Sequence, residues 1–317
     1  MIRTRFTEMF ELEHPLMSAP MAGHSGGTLA AAVSAAGALG SFGGVSVEGP
    51  DWVRAQIGLV RERTDRPFAV GFITAFLSGM GELFDAALEG RPDAIALSFG
   101  DPGDWARRVK DAGCQLICQV QTFSDVDLAL AAGADVLAAQ GTEAGGHTGT
   151  MTLLPFLCGI AEQHPEVPLL AAGGIADGRG LAAALLAGAD GAWLGTAFLA
   201  TPEAVEIGAA HKDAIVASDG GDTVFTRAYD IVSGMPWPVG IGERVRRDAF
   251  TDEWAEREHE LEVRTAEVTP PQPFLYGQSA RFVDAVRPAV DVVRTIGEDA
   301  DRRLRERPAQ LVDRPAG

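Results

Sequence analysis

Eight short apolar runs, each separated from the next by a helix-like stretch, constrain this chain more than any other feature. The runs fall at residues 15–17, 38–42, 68–73, 94–98, 115–120, 136–140, 168–172 and 192–194, with helix-like segments such as 27–36, 79–88, 104–112, 125–132 and 178–187 between them. The runs lack the alternation of apolar and polar residues that a half-exposed strand shows, so both faces of the sheet they form must be covered. Helices between parallel strands supply that cover and the crossovers. A recurring phrase supports the pattern: "AAGALGSFGG", "DAGCQLICQV", "AAGADVLAAQG" and "LAGADGAWLGT" each close a helix on small residues, stop it at glycine and start a strand at once. Glycine takes the left-handed conformation of a helix end without a Cβ clash, so each phrase is a stop signal with a mechanism. Eight such units predict an α/β fold, the closed (β/α)8 TIM barrel. The alternative, an open doubly wound sheet, lacks its Gly-rich fingerprint after the first strand.

The rhythm ends near residue 200. Residues 1–200 are expected to form the barrel. Residues 201–275 read as a mostly helical insertion after the eighth strand, lying as a lid over the barrel mouth. Within residues 276–317, a closing helix is expected at 276–298, followed by a charged, Pro-containing tail that frays. Residues 241–317 hold 29 charged side chains, against 41 in the 240 before them.

The formal net charge of −18 disfavours nucleic acid and anionic membrane surfaces as partners. Three cysteines, an odd number, fit reduced thiols and a cytoplasmic setting better than a disulfide framework. No secretory signal is recognised at the N-terminus. Residues 15–47 carry no Asp, Glu, Lys or Arg, but Pro15, Pro20 and several glycines break the stretch, so it does not read as a membrane span.

In such barrels the active site lies at the C-terminal ends of the strands. The only lysines, Lys110 and Lys212, lie away from them, which disfavours Schiff-base chemistry. No His-x-His pair or carboxylate cluster ends a strand, so no metal is expected. Cys114 and Cys118 share one strand parity and read as core. Cys158 falls in a helix candidate, and the loop after the sixth run holds no cysteine nucleophile.

Three strand ends are rich in chemistry. The sixth runs into Gln140-Gly-Thr-Glu-Ala-Gly-Gly-His-Thr-Gly149, the seventh into Ala171-Ala-Gly-Gly-Ile-Ala-Asp177, and the eighth ends Trp193-Leu-Gly-Thr-Ala197. Glycine backbones and a Thr hydroxyl on adjacent strands suit a phosphate, which makes Gly173, Gly174, Gly195 and Thr196 its candidate holders; turn geometry alone is the bland alternative. His147, in a Gly-rich loop at the mouth, suits proton transfer near neutral pH. Glu143 either orients that ring or is a solvated loop carboxylate. The edge Met17-Ser-Ala-Pro-Met-Ala-Gly23 can lie against a flat ring system or simply close the barrel. His24 beside it reads as supporting or structural. Ser98 and Gln121 end the fourth and fifth strands, within reach of a cofactor's polar atoms.

Taken together, "APMAG" at 19–23, "QGTEAGGHTG" at 140–149, "AAGGIADG" at 171–178 and "GAWLGTAFLAT" at 191–201 resemble the nitronate monooxygenase family, formerly called 2-nitropropane dioxygenases. "DTVFTRAYD" and "GMPWPVG" resemble later segments of its members. The resemblance spans roughly residues 12–260. It implies a TIM barrel that holds FMN noncovalently and oxidises alkyl nitronates with O2 to a carbonyl compound and nitrite. It implies His147 as the catalytic residue and Gly173, Gly174, Gly195 and Thr196 at the FMN phosphate. It further implies the Ala19, Pro20 and Met21 backbone beside the isoalloxazine, with Gly145 and Gly146 flanking the flavin; Gln140, at the head of that loop, joins the cofactor-binding set. One departure stands out. Many members carry a Gly-x-Asn segment after the third strand, where this chain reads Val70-Gly-Phe-Ile-Thr74, so Phe72 is expected to make the substrate pocket more apolar. Relatives with the same loops include FMN- and NAD(P)H-dependent enoyl-thioester and quinone reductases, which is the alternative activity. The expected partners are a small-molecule substrate and O2, with a homodimer left open.

Overall fold

The computed structural model describes residues 1–311. Eight parallel strands form the central sheet: β1 (Leu16–Ser18), β2 (Gly40–Gly43), β3 (Phe68–Ile73), β4 (Ala94–Ser98), β5 (Gln115–Val120), β6 (Val136–Gln140), β8 (Leu169–Ala172) and β9 (Gly191–Leu194). The short strand β7 (Gly146–Thr148) interrupts the count and belongs to a second sheet. Four of the eight runs match their strands end for end and the others shift by one or two residues. Neighbours pair in the order β1-β9-β8-β6-β5-β4-β3-β2, and a parallel bridge between Met17 and Leu39 joins β1 to β2 and closes the ring. The glycines of the four repeated phrases, Gly37, Gly113, Gly133 and Gly188, all take positive φ, between 78° and 104°.

Strand parity sorts the side chains into two layers. Val70, Phe72, Ile95, Leu97, Leu116, Cys118 and Leu137 point outward to the helices. Met17, Ala69, Ala94, Ala96, Ile117, Val136, Ala138, Leu170, Ala172 and Trp193 point inward, where small residues keep the barrel filled rather than hollow. Phe6 and Phe10, on and just after the helix Arg5–Met9, join that inner cluster. Cys118 on β5 and Cys114 just before it are both core, and burial pushes the Cys118 thiol up to about 12, so it is no nucleophile.

The stretch after β9 carries only short helices, at Ala209–Ala217, Ala228–Ser233, Ala249–Trp254 and Glu258–Leu261, so residues 201–275 are not the mostly helical insertion expected. It also carries two strands that the sequence does not announce: β10 (Thr223–Thr226) and β11 (Gly242–Arg246). β11 lies antiparallel to both β10 and β7, so the loop after β6 is stitched into a three-stranded sheet beside the barrel. The closing helix is Ala289–Leu311, not 276–298; it begins later and continues through Glu298, where the chain is expected to fray. It packs on the helices Gly178–Leu186 and Gly27–Ala35. The final tail lies outside the described residues.

Candidate active site

The barrel's C-terminal end opens into a cleft. Its floor comes from the barrel strands and its wall from the small sheet and the segment after it.

On the floor, Ala19, Pro20, Met21, Ser98, Gln140, Gly173, Gly195 and Thr196 all line the cleft, as expected from sequence. Pro20 reaches across because β3 offers glycine beneath it: a Cβ on Gly71 would sit 2.2 Å from Pro20 Cγ. Gly173 and Gly174 hold φ of +99° and +71°. Neither of them, nor Gly195, donates a backbone N–H to a protein acceptor among the described residues. Thr196 Oγ1 accepts from Gly277 N at 3.0 Å, which leaves its own proton to donate elsewhere. Free amides and a hydroxyl on neighbouring strand ends form the donor set a phosphate requires, so the floor fits the phosphate end of a flavin nucleotide.

Two expected floor residues stand elsewhere. Gln121 is buried outside the cleft wall and donates from Nε2 to Gln140 Oε1 at 3.0 Å. The cleft residue of that strand is Gln119, which pairs in register with Ser98. Gly174 lies behind the wall, against Glu143. Gln140 does line the cleft, yet its amide is engaged: it accepts from Gln121 and donates to the His147 carbonyl at 3.0 Å. Phe72 lines the cleft while its ring, on the outward face of β3, packs edge-on against Phe84 at 5.2 Å. His24 also lines the cleft, with Nδ1 3.0 Å from the Ala22 carbonyl.

On the wall, Gly145 and Gly146 lead into His147. Gly145 is required by close approach, since a Cβ there would meet Gly277 N at 2.3 Å. His147 sits on β7, one-fifth exposed, with Nε2 3.0 and 3.1 Å from the two carboxylate oxygens of Asp230. Trp237 stacks on the imidazole at 3.6 Å and 15°. Phe99 and Phe76 pack edge-on against that indole at 5.3 and 5.0 Å. Phe99 holds its place with φ of +62°, a strained backbone for a bulky residue. Glu143 does not orient the histidine. Both its oxygens accept from Leu153 N at 3.1 Å and so cap the helix Leu153–Gln163.

Asp230 and Trp237 are the functional residues that sequence reasoning passes over, although both lie inside the late segments "DTVFTRAYD" and "GMPWPVG". A carboxylate can only accept, so His147 donates from Nε2 to Asp230. Nδ1 has no protein partner among the described residues. The ring is thus oriented by Asp230 at Nε2, and Nδ1 is left for another partner.

A barrel whose last two strands end in free glycine amides and a threonine hydroxyl, with a carboxylate-held imidazole over the mouth, has the architecture of a TIM-barrel enzyme. The family model described as nitronate monooxygenase matches residues 3–82 and 80–237, and the chain belongs to that family. The nitronate monooxygenase of Pseudomonas aeruginosa is 33% identical over 272 residues, covering 70% of this chain and 76% of that protein. FabK from Thermotoga maritima superposes with a TM-score of 0.87 at 31% identity, over 98% of this chain and 100% of that one. Nitroalkane oxidase from Streptomyces ansochromogenes does so at 0.78 and 28%, over 96% and 99%. The chain is accordingly an enzyme, a flavin-dependent oxidoreductase. Among the described residues, no helix is long and apolar enough to cross a membrane.

Proposed function

We propose that the protein binds FMN and oxidises alkyl nitronates, and the nitroalkanes they derive from, with O2 to a carbonyl compound and nitrite. The observation that carries this reading is His147, held in the cleft with Nε2 on Asp230 and Nδ1 unclaimed. Gly173, Gly195 and Thr196 would hold the FMN phosphate, and the backbone of Ala19, Pro20 and Met21 would flank the flavin. Bound FMN supplies the electron acceptor and the reaction with O2.

The protein's own part is proton control. A neutral nitroalkane needs its α-proton removed, and His147 Nδ1 takes it while Asp230 offsets the imidazolium charge. A nitronate arrives as an anion, and the imidazolium form donates Nδ1–H to its oxygens. The apolar side chains of Ile73, Phe99 and Trp237 receive the alkyl part. Trp237 covers a face of the imidazole, so substrate meets the ring at its edge.

The test is turnover of nitronates and nitroalkanes with nitrite as the readout, for the wild type and His147→Asn. The expected result is nitrite release that collapses in the variant while the bound-flavin spectrum persists. Unchanged nitrite release by the variant would remove His147 from the mechanism. Anaerobic mixing with NADPH separates the enoyl-thioester or quinone reductase alternative: rapid flavin bleaching favours it, and a flavin that stays oxidised favours nitronate oxidation.

A further inference from the structure

The face of the small sheet that carries His147 carries a second acid. In the antiparallel register of β11 on β7, Glu243 lies directly opposite His147, and on its other side it faces Thr226 of β10. Residues opposite one another project from the same face, so Thr226, Glu243 and His147 form one row. The helix Ala228–Ser233, which brings Asp230 to His147, lies against that face.

Glu243 is 3% exposed, and its Oε1 has no hydrogen-bond partner among the described residues. The ionisable groups around it are few. From its own sheet there is His147. From the covering helix there are Asp230 and Tyr229, and the Tyr229 hydroxyl is committed to Asp248 at 2.7 Å. Thr226 is committed to Glu258 at 2.8 Å. The cationic neighbour in sequence, Arg244, points to the other face and is held by the Thr142 carbonyl at 2.7 Å. A buried carboxylate with no donor, next to a second carboxylate, is costly to ionise. Burial first, and Asp230 second, push Glu243 up to about 8.

We infer that Glu243 is a positioning residue for the chemistry at His147: a buried, unpartnered acid in the row beside the imidazole, whose ionisation adds a second negative charge behind the His147–Asp230 pair. The inference rests on His147 as the group that binds and moves the proton. Its consequence is electrostatic: with Glu243 neutral the imidazole faces one carboxylate, Asp230, and ionised Glu243 adds a second negative charge on the same face.

The test reads the protons and not the product. Flavin-loaded protein with labelled histidine is titrated by NMR, and the His147 signal is assigned by its absence from His147→Asn. The His147 signal of the wild type is expected to show an inflection near pH 8, where Glu243 ionises. In Glu243→Gln that inflection disappears. A His147 curve that is the same in both proteins overturns the inference. Should the variant not fold, infrared difference spectra of the wild type decide. A protonated carboxyl at pH 7 that vanishes as the pH passes 8 supports the inference, and its absence overturns it. No substrate enters either measurement, so a protein that releases no nitrite yet shows the coupled titration refutes nitronate oxidation and leaves Glu243 in place.

Discussion

The floor and the wall of the cleft are built by different means. The floor is backbone: strand ends whose glycines remove side chains, bend at positive φ and leave amides free. The wall is side chains: an imidazole, the carboxylate that holds it and the indole stacked upon it. The floor belongs to the barrel, whose geometry fixes eight strand ends in a ring. The wall depends on β10, β11 and the Ala228–Ser233 helix, which come from the insertion and meet the barrel loop through one short strand, β7. On the proposed function, a cofactor common to many reactions would rest on the barrel, and the groups that set the reaction would rest on the part that can diverge.

That division can be broken by substitutions that should separate flavin binding from turnover. The largest effect is expected on the wall. His147→Asn should lower nitrite-forming turnover by about 10²- to 10⁴-fold, the range of a lost general base, with flavin content unchanged in the absorption spectrum. Co-loss of flavin would show that the wall also holds the cofactor. Asp230→Asn comes next. The imidazole keeps a partner but loses the charge that stabilises its protonated form, a loss of about 1.5–3 kcal/mol, or roughly 10- to 100-fold in turnover, for a charged hydrogen bond. Steady-state rates with a neutral nitroalkane check it; an undiminished rate would mean that Asp230 only fixes the ring's orientation.

On the floor the readout inverts. Gly173→Ala puts a Cβ at φ +99°, 2.9 Å from the Gly141 carbonyl. The expected cost is about 1–2 kcal/mol for a left-handed non-glycine residue, or roughly five- to thirtyfold in the flavin dissociation constant. Fluorescence titration of stripped protein with FMN measures this, and turnover of the saturated variant should stay near wild type. A variant with full flavin affinity would take Gly173 out of the phosphate cradle.

The two regions also differ in how far the sequence discloses them. Barrel strands are local: Phe68–Ile73 or Val136–Gln140 is an apolar run bounded by turn or glycine signals, and nothing distant is needed to place it. The glycine cradle follows because strand ends converge once the ring closes. Gln119 is within reach of the same reasoning. Period two carries Ser98 and Gln119 to the same inward row, whereas taking the last polar residue of the run selects Gln121, one strand step past the cleft. The wall has no such local signal. β7 is three residues long and is a strand only because Gly242–Arg246 pairs with it. Asp230 sits in a six-residue helix whose amphipathic pattern is too short to read, and Glu143, nearer in sequence to His147, is claimed by the start of the next helix. The expected closing helix starts too early for a reason that is local after all. The chain first makes a short 3-10 turn at Gln278–Phe282, and Pro288 disfavours a helical backbone at Arg287, so the long helix begins only at Ala289.

The smallest effect is expected where wall meets solvent. Trp237 touches His147 face to face, and its indole is braced edge-on by Phe76 and Phe99. Such aromatic contacts are worth about 0.5–1.5 kcal/mol beyond area burial. The stack does not carry the proton, so Trp237→Ala should act through binding and leave the proton step intact. A rise of roughly two- to tenfold in KM for nitroalkanes is expected, with kcat near wild type and unchanged flavin. The split between the two constants is the informative quantity. A fall in kcat with KM unaltered would mean that the indole holds the imidazole in its reactive orientation, and Trp237 would then act together with Asp230 as a support of His147 rather than as a surface for substrate.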